Sequence, residues 1–152
     1  ILPGIQEKIS LHWTILKGCT KTLVYIKIAS AKAEDFYIEY LETILNIKVV
    51  ENLHEALANI SKHGSGHSEA ILSENYTAIN KFLNEVDAAC VYANASTRFT
   101  DGGEFGLGAE VGITTNKLHS RGPMGINDLT TFKYKIYGQG QIRTKWVQID
   151  FF

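Results

Sequence analysis

No apolar run in this chain approaches the roughly 18 residues needed to cross a bilayer, so a membrane-spanning class and a membrane partner are not expected. Charge of one sign is missing too. Fifteen Lys plus Arg stand against 16 Asp plus Glu, a formal net charge of -1, which gives no basis for long-range attraction to nucleic acid. Cysteine is scarce: Cys19 and Cys90 lie far apart and without metal-ligand spacing, so neither a disulfide framework nor a zinc site is expected. That usage fits a reducing compartment, and a cytoplasmic location is expected. The chain opens Ile1-Leu2-Pro3, with no Met and no charged-apolar-small signal pattern, and is read as starting inside a longer polypeptide. What is present is a globular composition, 45% hydrophobic and 20% charged over 152 residues, enough for one core.

Periodicity divides the chain into alternating helical and extended pieces. Ile5, Ile9 and Leu11 fit a helix over residues 4 to 12, and residues 13 to 16 fit a short strand. The β-branched and aromatic run from Thr22 to Ile28 suits helix or strand equally. Residues 29 to 35 read as a polar connection, 36 to 41 as irregular, and 44 to 50 as a strand. Asn52 and Glu55 have capping-box spacing before an apolar stripe of Leu53, Ala56, Leu57 and Ile60, and Gly64 suits the end, which predicts a helix over 53 to 62. A strand over 68 to 73 follows. Glu74 and Asn75 then start a helix carrying Tyr76, Ile79, Phe82 and Leu83, and residues 88 to 92 form a buried strand. This order predicts an α/β fold with an open, largely parallel sheet flanked by helices.

From Asn94 to Gly125 the pattern changes, with seven glycines and six charged residues and little apolar period. A connection this long is uncommon in a compact domain unless it binds something. Beyond it, Phe132, Tyr134 and Ile136 alternate with Lys133 and Lys135, Gly138 and Gly140 supply a turn, and residues 141 to 149 fit a return strand. Such a ribbon is marginal alone and needs a partner surface, so a homo-oligomer is expected. Residues 1–128 are therefore assigned to a partial α/β domain and 129–152 to an oligomerisation ribbon.

Long motifs carry a resemblance. The run Asn94-Ala-Ser-Thr-Arg-Phe-Thr-Asp-Gly-Gly-Glu-Phe-Gly-Leu-Gly-Ala-Glu-Val-Gly-Ile113, then Lys117-Leu-His-Ser-Arg-Gly-Pro-Met-Gly125 and Leu129-Thr-Thr-Phe-Lys-Tyr134, resembles the carboxy-terminal third of γ-glutamyl phosphate reductases. Shorter matches are Glu39-Tyr-Leu41, Lys48-Val-Val50, the stretch from His63 to Ile71, and Val86 to Tyr92. These enzymes are members of the aldehyde dehydrogenase superfamily, and a bifunctional pyrroline-5-carboxylate synthase carries a similar domain. The resemblance implies NADPH-dependent reduction of γ-glutamyl phosphate to glutamate 5-semialdehyde in proline synthesis, through a cysteine thiolate and a thioester. In that pattern the nucleophile and most of the nucleotide-binding domain lie upstream of the matched region. This chain alone is thus expected to be inactive, and no catalytic residue is assigned to it. The alternative is a noncatalytic interaction or regulatory protein that retained the scaffold.

Candidate site residues follow. Asn94, Ser96 and Arg98 come just after a predicted strand end, where open α/β sheets bind ligands, and are assigned to substrate binding. Arg98 suits a carboxylate or phosphate through its planar fork, or else a loop-stabilising ion pair with Asp101 or Glu104. The resemblance implies substrate contact, and it implies that Glu39 holds the nicotinamide ribose, although Glu34, Asp35 and Glu42 make a solvated acidic stretch the competing reading. Cys90 reads as a small buried hydrophobe and Cys19 as an ordinary surface thiol. His63 and His67 flank a structural turn without a third ligand for a metal, His119 and Arg121 face solvent, substrate or a neighbouring subunit, and no histidine is given acid–base work.

Overall fold

The computed structural model describes residues 1–10 and 12–143. Helix α1 spans Leu2–Ser10, with Pro3 in its first turn, where a missing N–H costs nothing. Strand β1 (Ile15–Gly18) is followed at once by α2 (Thr20–Tyr25) and the two-residue β2 (Ala29–Ser30), and β3 is Ile44–Ile47. The segment that local propensity leaves open is therefore mainly helical. Tertiary contact decides it: Thr22 is fully buried and its hydroxyl donates to the Ile47 carbonyl at 2.9 Å, which ties α2 to the end of β3. Residues 36 and 37, read as irregular, belong to a 3₁₀ turn, Glu34–Tyr37.

The next two units match the sequence pattern closely. Helix α3 (Leu53–His63) is capped by Asn52, whose side chain accepts from the Glu55 N–H at 3.0 Å, while the Glu55 carboxylate accepts from the Glu51 N–H at 2.9 Å. Strand β4 is Ser68–Ile71, helix α4 is Tyr76–Glu85 capped by Asn75, and β5 is Cys90–Ala93. Past the Gly-rich region come the short β6 (Gly112–Thr114) and β7 (Gly122–Met124).

Pairing is parallel where expected, but it does not make one sheet. Among the described residues β2-β1-β3 forms one parallel sheet, β4-β5 a second, and β6-β7 an antiparallel pair. No ladder joins the β2-β1-β3 strands to the β4-β5 pair among the described residues. The core is correspondingly small: Leu16, Ile26, Phe82, Val86 and Cys90 are its buried apolar members. The expected C-terminal ribbon is not formed among the described residues. Residues 130 to 143 carry no strand, since extended backbone without a ladder partner is not a sheet; most of the proposed return strand lies outside the described residues. Phe132 and Tyr134 still show the alternation, their rings meeting edge to face at 5.2 Å.

Candidate functional site

Two loops and a turn meet over the start of β4. A cleft of about 400 Å³ is lined by Glu39, Ser65, His67, Ser68, Thr97, Arg98 and Thr115. Every one of these side chains is polar. Glu39 and Arg98, 59 positions apart in the sequence, are thus brought to one cavity.

The Arg98 wall is built from the end of β5. Asn94 has a positive φ of 55°, and both polar atoms of its amide are engaged: Oδ1 accepts from the Ser73 N–H at 2.9 Å and Nδ2 donates to the Ser73 carbonyl at 2.8 Å. Ser96 accepts from the Arg98 N–H at 3.2 Å and caps a 3₁₀ turn, Thr97–Phe99. Neither Asn94 nor Ser96 is part of the cleft lining. Their hydrogen bonds shape the loop that presents Arg98. The turn sends the chain back along the sheet. Buried Thr100 reaches the first residue of β4, its hydroxyl 2.6 Å from Ser68 Oγ and 2.8 Å from Tyr92 Oη. The cleft therefore lies at the start of β4, not beyond the carboxyl ends of the strands.

Arg98 keeps its guanidinium exposed, and it takes no part in any of the five ion pairs among the described residues. Of the two acids that compete for it, Asp101 is occupied. Asp101 accepts from the Gly103 and Glu104 N–H groups at 2.7 and 3.0 Å, folding the turn that follows. Glu110 accepts from the Gly102 N–H at 2.8 Å, and a Cβ at Gly102 would stand 2.7 Å from the Ala109 carbonyl oxygen. These glycines are backbone-shape residues. The loop is held by carboxylate-to-backbone bonds, and the Arg98 fork has no carboxylate partner among the described residues.

The Glu39 wall is anchored by its neighbour. Asp35 is 8% exposed; its carboxylate accepts from Lys17 Nζ at 2.7 Å, Tyr40 Oη at 2.5 Å and the Lys32 N–H at 2.7 Å. Lys17, then Tyr40, hold that carboxyl well below the usual carboxylate range. The acidic stretch is therefore not uniformly solvated: Asp35 is a buried anchor, while Glu39 is exposed at the cleft without a hydrogen bond or ion pair among the described residues.

His67 was not legible as a cleft residue. Its Nδ1 lies 2.7 Å from Ser68 Oγ, and through Ser68 it joins a line of hydroxyls running to Thr100 and Tyr92. The Ser65-Gly66-His67-Ser68 sequence offered polar density but no hint that residue 100 folds back onto it. His63 behaves as expected of a structural residue, its ring edge-on to Tyr37 at 4.2 Å, and burial, then Lys62 and Lys48, push its pKa down. Cys90 is buried in β5. Cys19 differs from its surface reading: it is half-buried at the start of α2, its Sγ 3.2 Å from Thr22 Oγ1, beside a separate cavity with Lys48 and Lys62. Burial pushes that thiol up, but hydrogen bonds from Thr22 and from backbone N–H groups outweigh it and leave the thiol below its ordinary value. Neither cysteine lines the Glu39–Arg98 cleft. Arg121 pairs with Asp87 at 2.7 Å, as does Lys117.

Among the described residues no group of three potential ligands is placed to hold a metal, and no helix is long and apolar enough to cross a membrane. No family model matches the sequence. The curated γ-glutamyl phosphate reductase of Aliarcobacter butzleri is 76% identical over 143 residues, 94% of this chain and 35% of that protein. The enzyme of the same name from a Nitratiruptor species is 67% identical over 144 residues, with the same coverage. A crystal structure of γ-glutamyl phosphate reductase from Thermotoga maritima superposes with a TM-score of 0.87 at 49% identity, again over 94% of this chain and 35% of that one. The chain spans about a third of the length of the relatives it matches. In sequence and in fold, it corresponds to that third of a γ-glutamyl phosphate reductase.

Proposed function

We propose that this chain is the part of an NADPH-dependent reductase that helps hold substrate and cofactor while γ-glutamyl phosphate is converted to glutamate 5-semialdehyde in proline biosynthesis. The observation that carries the reading is the shared cleft. Hydride transfer requires the nicotinamide and the acyl carbon in contact, so the groups that hold each must line one cavity, and Glu39 and Arg98 do. A carboxylate with no protein partner suits two ribose hydroxyls, which is the fit expected of Glu39. NADPH, when bound, supplies the hydride. Arg98 orients the anionic substrate, and Asn94 and Ser96 hold the loop that places it.

The attacking thiolate is assigned to residues outside this chain, since Cys90 is buried and Cys19 belongs to another cavity. Association through residues 129 to 152 and a cytoplasmic location complete the proposal. In a full-length reductase carrying this chain, Glu39→Gln is expected to raise the KM for NADPH about tenfold, the scale of one lost charge-assisted hydrogen bond, with the KM for the acyl phosphate little changed. An unchanged cofactor KM removes Glu39 from the ribose.

A further inference from the structure

We infer that His67 and Arg98 together form the subsite for the phosphoryl group of the substrate, with His67 oriented by the hydroxyls of Ser68, Thr100 and Tyr92. The inference rests on the reductase reading and assigns one part of the substrate to named atoms. Three observations support it. Besides Glu39, the cleft combines one guanidinium, one imidazole and the hydroxyls of Ser65 and Thr97, a donor-rich set suited to a tetrahedral oxyanion. Arg98 is exposed and unpaired among the described residues, so an incoming anion need displace no carboxylate.

The third observation is the direction of the hydroxyl chain. Tyr92 Oη, Thr100 Oγ1, Ser68 Oγ and His67 Nδ1 are linked at 2.8, 2.6 and 2.7 Å. If the phenol donates to Thr100, Thr100 to Ser68 and Ser68 to Nδ1, every hydroxyl proton in the line has a partner. Run the other way, the tyrosine proton is left without one. The first arrangement places the imidazole proton on Nε2, the ring nitrogen with no partner among the described residues. His67 is then a donor held at a fixed angle on the cleft wall.

Chemically, the acyl phosphate gives up its phosphate when a thiolate attacks the carbonyl carbon of the γ-carboxyl group. The C–S bond forms, the C–O bond to phosphate breaks, and its electron pair leaves on the phosphate, which takes a proton from solvent water. Donors fixed around the phosphoryl oxygens hold the leaving group in place and meet the negative charge that grows on it. Microscopic reversibility makes the same subsite the binding site for inorganic phosphate when the semialdehyde is oxidised.

The test uses a full-length reductase carrying this chain, assayed in reverse with semialdehyde, NADP+ and inorganic phosphate. Arg98→Ala and His67→Ala are each expected to raise the KM for phosphate about tenfold or more, with the KM for NADP+ within about twofold of the parent. His67→Gln, which restores an N–H near the Nε2 position, is expected to recover part of the loss. Ser68→Ala, which only unfixes the ring, is expected to raise the phosphate KM less than His67→Ala does. Phosphate KM values unchanged in Arg98→Ala and His67→Ala, both soluble and active, overturn the subsite while leaving the reductase reading intact. A parent protein with no phosphate-dependent NADP+ reduction overturns both.

Discussion

Asp35 shows how much a single side chain organises here. One carboxylate gathers a lysine, a tyrosine and a backbone N–H, and so ties the segment that carries Glu39 to Lys17 of β1. Because its carboxyl lies below the ordinary value in the folded state, its contribution to stability is complete at neutral pH and is lost as pH falls through the unfolded and then the folded value. Asp35→Asn is therefore expected to unfold at lower urea than the parent at pH 7, and the gap is expected to close as the pH drops below about 4. Urea midpoints measured across that range check it; a gap independent of pH would assign the loss to packing instead. At this scale the sequence was legible in part. Arg98 was singled out from its place after a strand and Glu39 from the resemblance, and the structure places both at one cleft. The amide of Asn94 bonds Ser73, 21 residues away, and nothing local announces that partner.

Helix termini were readable at the level of the element because capping is settled within four residues. Asn52 and Asn75 both accept from the N–H three positions on, at 3.0 and 2.9 Å. Replacing either with alanine is expected to cost about 1 kcal/mol in chemical denaturation, with the spectrum of the native state unchanged. The junction of β1 and α2 was not readable, because the burial of Thr22 against Ile47 is a tertiary event. Gly18 stands at that junction with no room for a side chain: a Cβ would lie 2.8 Å from Thr22 Cβ and 2.9 Å from Ile28 Cδ1. Gly18→Ala is expected to destabilise by about 1–3 kcal/mol through overpacking, read as a lower urea midpoint at unchanged slope. The C-terminal alternation was legible as a pattern but not as an element, since a strand exists only with a partner.

For the whole molecule, surface area is the informative quantity. The chain exposes 12417 Å², where a compact protein of its 16.9 kDa mass would expose about 7700 Å². Side chains such as Trp13, Leu41, Leu72 and Leu118 are more than four-fifths exposed. Expressed alone, the 152 residues are expected to bind a hydrophobic dye such as ANS and to oxidise no NADPH with γ-glutamyl phosphate. Co-expression with the rest of the Aliarcobacter butzleri relative is expected to abolish the dye signal, and a dye-free, cooperatively unfolding isolated chain would contradict the reading. The fold-back from Thr97 to Thr100 has its own consequence at this scale. The cleft wall that carries Arg98 is joined to β5 covalently through the stretch of chain at Asn94–Ser96, and is held to β4 and β5 by the hydroxyl bonds of Thr100 to Ser68 and Tyr92. A protease nick in that stretch would leave the β4–β5 ladder paired while freeing Arg98 from its covalent link to β5, so that anion binding would fail before the fold did.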